Sequence, residues 1–171
     1  NYTRFMCIII LNHDPALEKN MVKLDKQGNA QIDYTICPDS VASLCHAQAQ
    51  ATRIFFAAGC EKSIMPCADR YIFGPGDVSG ETLEEFISPG NFLSVKAPIS
   101  SAHPQGGCGM GAGPDNSVTD QWGQVHGKPW LYVADASLFP KSSHVNPYLT
   151  IMALADRVSE RIRDTSKEWA S

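Results

Sequence analysis

The sequence predicts an α+β fold, a sheet packed against two main helices. Three observations carry that reading. A short apolar run and a hairpin pattern fill the first 36 residues. Two long stretches place apolar residues at helical spacing, over 38–59 and from 147 onward. Between them, residues 88–129 hold much of the Gly and Pro, and a loop region of that length in a compact chain is more often functional than idle.

Phe5 to Leu11 is continuous, β-branched and short, which predicts a buried strand, and Asn12-His-Asp-Pro15 is turn chemistry. Val22–Leu24 and Gln31–Ile36 flank a Gly28-Asn29 turn and predict a hairpin. Pro38-Asp39-Ser40 opens a helix whose apolar stripe runs through Val41, Leu44, Cys45, Gln48, Thr52, Phe55 and Phe56. It ends at Ala58-Gly59, with glycine past the last turn. Tyr71–Phe73 reads as a short strand before a Gly/Pro turn at 74–76, and Thr82–Ile87 as a helical turn or two. Trp130–Val133 reads as a strand ending in Ala134-Asp135-Ala136-Ser137. Pro147 starts a second long helix with Leu149, Met152, Ala155, Val158 and Ile162 inward, and Asp156, Arg157, Glu160 and Arg163 outward. Beyond Asp164 the tail is polar and is expected to fray. The domain reading is 1–98, 99–164 and a tail at 165–171.

Composition narrows the function classes. With 43% hydrophobic and 19% charged residues the chain is globular rather than disordered, and a net charge of −4 gives no footprint for nucleic acid. No apolar run approaches the roughly 20 residues a membrane-spanning helix needs. Six cysteines show no C-x-x-C pair and no zinc spacing, so they are expected to be mostly free and buried. Nothing in the composition fixes a cellular location.

Two segments carry chemistry. His103-Pro-Gln-Gly-Gly-Cys-Gly-Met-Gly sets a histidine, the side chain best suited to proton exchange near neutral pH, before a chain flexible enough to turn closely around a partner. The alternative is a loop histidine bonded to a neighbouring carbonyl. Within it, Gly107-Cys-Gly109-Met-Gly-Ala112 matches the dinucleotide pattern G-x-G-x-x-[GA] only formally. Prolines precede it and Gly113-Pro114 follows, where a strand and a helix are required. The second segment, Leu131-Tyr-Val-Ala-Asp-Ala-Ser-Leu-Phe-Pro140, offers Asp135 and small residues at a strand end. Asn146-Pro147 then signals a helix start, either a plain N-cap or a donor-rich end able to stabilise a developing anion. A metal site from His103, Cys108, His126 and His144 fits no common spacing.

His103-Pro-x-Gly-Gly-Cys, Asp120-x-x-Gly123-x-Val125, Leu131-Tyr-Val-x-Asp-x-Ser-Leu-x-Pro140 and Val145-Asn-Pro-x-x-Thr-Ile-x-Ala-Leu-Ala155 occur in that order. Together they resemble the C-terminal part of the glucose–methanol–choline (GMC) family of FAD-dependent oxidoreductases. The Gly-Gly-Cys after His-Pro and the Val158-Ser-Glu-Arg161-Ile ending are similar to the cholesterol oxidase branch, and Ala49 to Gly59 resembles a helix of the family's bacterial and long-chain-alcohol members.

The resemblance implies a substrate-binding domain, an antiparallel sheet flanked by helices, plus a C-terminal strand–helix segment that packs against an FAD domain. It implies oxidation of a CH–OH group, with a sterol-like or long-chain alcohol favoured. His103 would be the proton acceptor and Asn146 the second catalytic position. Asp135, Ala136, Asn146, Pro147, Tyr148 and Leu149 would line the flavin, and no metal is implied. His144 gains no role. The family's N-terminal FAD fingerprint is absent, so the expected partner is an FAD-binding domain or chain, and the isolated chain is expected to be inactive. The start at Asn-Tyr-Thr-Arg then reads as a cut. A hydroxynitrile lyase of the same scaffold and a non-catalytic relic acting as a binding module are the rival readings.

Overall fold

A computed structural model describes residues 4–65, 72–77, 83, 87–92 and 96–169. The chain divides into two compact units: residues 1–12 with 36–100, and residues 13–35 with 101–171. The hairpin thus groups with the C-terminal part of the chain and not with the segments that flank it in sequence.

In the first unit, α1 spans Pro38–Ala57. Proline at its first turn costs no hydrogen bond, and Asp39 there suits the helix dipole. Gly59 adopts φ +85° and terminates the helix, with Ala58 N–H bonded to Ile54 O and Gly59 N–H to Phe56 O. The expected stripe of seven residues is half-buried or buried throughout, with Ala49 and Ala51 completing it. Ala49, Met65, Leu83 and Ile87 form the core of this unit, and Cys45, Phe56 and Phe92 pack on it. The short strands β3 (Ser63–Ile64) and β4 (Ile72–Phe73) pair antiparallel. β3 was not expected. Asp77 closes the turn after β4 by accepting the Gly74 N–H at 2.8 Å. Tyr71 and most of 82–87 lie outside the described residues, although Ile87 N–H does bond to Leu83 O.

Phe5–Leu11 is not a strand. Phe5, Ile9 and Leu11 are 68%, 78% and 86% exposed, and no described segment pairs with them. An apolar β-branched run becomes a strand only when a neighbour completes its ladder.

In the second unit, β1 (Met21–Leu24) and β2 (Ala30–Asp33) form the expected hairpin, with Leu24 opposite Ala30. Asp25 shapes its loop by accepting the backbone N–H groups of Gln27 and Asn29, both at 2.8 Å, and Gly28 supplies φ +86°. β2 ends at Asp33, short of the expected Ile36. The expected strand Trp130–Val133 does not form as such: Trp130 lies in a turn closed by Leu131 N–H to Lys128 O, and the rest makes only an isolated bridge, Gln124 to Tyr132, flanked by bonds from Val125 N–H to Leu131 O and from Val133 N–H to Gly123 O. The partner segment turns at Gly123 and Gly127 before a full ladder can form.

Helix α2 spans Tyr148–Trp169. Its protected stripe runs through Ile151, Leu154, Ala155, Val158, Ile162 and Thr165. Ala155, Val158 and Ile162 face inward as expected, but Leu149 and Met152, expected inward, are 74% and 53% exposed, and Ile151 and Leu154 are the protected residues of the first turns. The helix also continues past Asp164, where fraying was expected. Thr165 is buried and donates its hydroxyl to Arg161 O at 2.9 Å. Cys7, Cys45, Cys60 and Cys108 are free thiols; Cys7 is exposed, and Cys45, Cys60 and Cys108, like Cys37, are only half-buried. The α+β class and its antiparallel pairing hold. The described strands form two separate two-stranded sheets, and no described helix of the chain is long and apolar enough to cross a membrane.

Candidate active site

All the candidate residues lie in the second unit. Asp135 ends the extended segment and caps a 3-10 turn, Ala136–Leu138. Its Oδ1 accepts the Ser137 hydroxyl at 2.5 Å and the Ser137 N–H at 2.8 Å. Those two bonds, the hydroxyl first, hold the carboxyl below its ordinary value of 3.8. Oδ2 has no described partner, so one ionised oxygen remains for a ligand.

The 3-10 turn in turn anchors the glycine-rich segment. Gly106, Cys108 and Met110 donate their N–H groups to Ala136 O, Ser137 O and Leu138 O at 3.0–3.1 Å. A Cβ at Gly109 would sit 3.3 Å from Pro140 Cα, so this approach is tight. His103 enters just before the anchored stretch. Its ring is exposed and makes no hydrogen bond among the described residues, unlike the bonded loop histidine of the alternative reading. His126, by contrast, is tied to Ser117: the Ser117 hydroxyl donates to Gly113 O at 2.7 Å, so His126 Nε2 must be the donor in their 2.9 Å contact.

The loop before α2 is held from two sides. Ser143 N–H donates to the Gln105 side-chain oxygen at 3.0 Å. His144 sits at φ +59° with its ring 3.8 Å from that of His13. Asn146 is exposed, and its Oδ1 accepts the Tyr148 N–H at 3.2 Å. Because an N–H can donate only to the amide oxygen, Nδ2 must point elsewhere and has no described partner. Ala136 is half-buried, the Pro147 ring is fully buried, and Tyr148 and Leu149 are 62% and 74% exposed.

The structure therefore brings the His103 segment, Asp135–Leu138 and the Asn146 loop side by side. His103 and Asn146 make no hydrogen bond to each other. Sequence reasoning missed Gln105, which is the unassigned position of His-Pro-x-Gly-Gly, and His13, which looked like turn chemistry. No local signal marks contacts so distant in sequence.

An open cleft of about 660 Å³ is lined by Met110, Trp122, Arg157 and Arg161 among others, and by none of His103, Asp135 and Asn146. Arg157 and Arg161 stack on Trp122 at 4.4 and 5.8 Å from the ring centroid, which covers the arginine stems with aromatic surface. Among the described residues no three His, Cys, Asp or Glu side chains converge on a point that could hold a metal.

The family model described as GMC oxidoreductase, for the C-terminal part, matches residues 17–155, which include His103, Asp135 and Asn146. The chain belongs to the GMC oxidoreductase family. Among its relatives, a long-chain-alcohol oxidase of Arabidopsis thaliana is 28% identical over 80% of this chain and 19% of its own length. A GMC-type oxidoreductase of Mycobacterium tuberculosis is 31% identical over 79% of this chain and 20% of its own. An oxygen-dependent choline dehydrogenase of Chromohalobacter salexigens is 38% identical over 57% of this chain and 17% of its own. The chain spans about a fifth of the length of these GMC relatives, and the match reaches the hairpin as well as the loop chemistry.

Proposed function

We propose that the chain is the active-site-bearing C-terminal portion of an FAD-dependent enzyme that oxidises a CH–OH group, incomplete without an FAD-binding half. One observation carries the reading. On two segments joined by the Gln105–Ser143 hydrogen bond stand an exposed His103 and an exposed Asn146, whose ring and whose Nδ2 have no partner among the described residues, which suits an acceptor and a donor.

The residues fit FAD by their donor set. Asp135 keeps an ionised oxygen able to accept hydroxyl groups of a ribityl chain, with the Ala136 turn beside it. The first turn of α2 has its Tyr148 N–H satisfied by Asn146, which leaves the Leu149 and Thr150 N–H groups for an acceptor oxygen of the flavin pyrimidine. Bound there, FAD supplies the acceptor for hydride. Neutral His103 takes the alcohol's hydroxyl proton on a ring nitrogen. Asn146 Nδ2 donates to the same oxygen and fixes its place as negative charge builds on it. Loss of that proton and of hydride from the adjacent carbon leaves a carbonyl product.

The motif likeness and the long-chain-alcohol oxidase relative favour a long-chain or sterol-like alcohol. The test is anaerobic mixing of the flavin-loaded enzyme with a long-chain primary alcohol and, separately, a sterol. Bleaching of the flavin supports the oxidoreductase. A silent flavin with either alcohol, together with cleavage of a cyanohydrin, supports the lyase reading instead.

A further inference from the structure

We infer that Gln105 is a positioning residue, which holds the Asn146 loop against the His103 segment; this rests on the catalytic reading above. Gln105 stands two residues after His103, with Pro104 between them restricting the backbone. From there its side chain crosses 38 residues of sequence to accept the Ser143 N–H at 3.0 Å. The other described hydrogen bonds of residues 141–146 are local: Ser143 hydroxyl to Val145 O at 2.7 Å, His144 N–H to Ser142 Oγ, and the Asn146 cap on Tyr148. Among the described residues, only the Gln105 bond ties this loop to the segment bearing His103. The stack of His144 on His13 braces the loop elsewhere, so losing the Gln105 bond would shift the loop and not release it.

The chemistry makes this bond separable from folding. Ser143 offers a single N–H, so any side chain with an acceptor oxygen at the same reach can serve. Gln105 is half-buried, and one neutral hydrogen bond is a small part of a domain's stability. Its effect on rate can be larger, because small misplacements of reacting groups cost disproportionately.

The test compares Gln105→Leu and Gln105→Glu in the flavin-loaded full-length enzyme, with His103→Ala as reference. Gln105→Leu is expected to slow flavin reduction by about 10-fold or more, with KM within about threefold of the parent. Gln105→Glu is expected to restore the rate to within about threefold of the parent, since the acceptor is kept. In parallel, amide exchange at Ser143 should speed up by about 10-fold or more in Gln105→Leu and stay slow in Gln105→Glu. Two outcomes overturn the inference: a parent-like rate in Gln105→Leu, or a Gln105→Glu variant as slow as Gln105→Leu. His103→Ala separates the levels. If it is crippled while Gln105→Leu is not, the positioning role alone fails. If it is near parental, the catalytic reading fails whatever Gln105 does.

Discussion

The Tyr148 N–H donates to Asn146 Oδ1 at 3.2 Å, so the amide that starts α2 is bound at its oxygen end and, among the described residues, has no partner at its nitrogen end. An asparagine that caps its own helix can therefore also face a substrate, because the two tasks use different atoms. Aspartate at 146 keeps the capping oxygen and loses the donor; alanine loses both. Asn146→Asp is expected to retain stability to within about 0.5 kcal/mol while flavin reduction slows sharply, whereas Asn146→Ala costs about 1 kcal/mol as well. Urea unfolding and stopped-flow reduction on the same variants check this. Equal stability loss in both would break the division of labour, and a parental reduction rate in Asn146→Asp would remove the donor role.

Gly123 packs beneath the extended 131–133 segment at φ +75°. A Cβ there would lie 2.5 Å from Val133 O and 2.8 Å from Val158 Cγ2. Gly123→Ala is expected to destabilise by at least about 2 kcal/mol, from the left-handed backbone and the clash together. Chemical denaturation measures it, and a loss under about 0.5 kcal/mol would show that the segment can move aside.

In the first unit, Thr52 and Ser63 share a 3.2 Å hydrogen bond at 0% and 2% exposure. Thr52→Val keeps the shape and strands the Ser63 hydroxyl, at a cost of about 1–3 kcal/mol. Adding Ser63→Ala removes the stranded group, so the double variant should recover part of the loss. Strict additivity of the two substitutions would show that the pair is not coupled.

Most of α1 and the hairpin was legible because their signals are local: Pro38 and Gly59 as punctuation, a 3.6-residue stripe, and Asp25 and Gly28 in a loop. On α2 Ala155, Val158 and Ile162 were legible, but the first turns were not, since Leu149 and Met152 satisfy a helical period as well as Ile151 and Leu154 do. Phe5–Leu11 could not be read, because a strand depends on a partner that its own residues do not specify. Of the candidate site residues, His103, Asp135 and Asn146 stand in ordered motifs that the sequence alone displays. Gln105 and His13 were not legible, because their partners are brought close only by the fold.

Asp135 gives the site an acid sensitivity. The Ser137 hydroxyl and N–H hold its folded carboxyl below 3.8, so it contributes stability above about pH 4 that is lost as pH falls through the folded value. The side chain is exposed, so the contribution is small. Asp135→Asn should flatten the fall in stability below about pH 4 and leave the neutral-pH slope unchanged. Urea midpoints taken across that range check it; a slope identical to the parent would mean that Ser137 does not hold the ionised form.

The central claim is that His103 takes the alcohol's proton. Single-turnover flavin reduction of the flavin-loaded enzyme under anaerobic conditions tests it most directly, comparing the parent with His103→Ala at saturating alcohol. The predicted result is a reduction rate lower by about 100-fold or more, with flavin still bound. A rate within about threefold of the parent would contradict it.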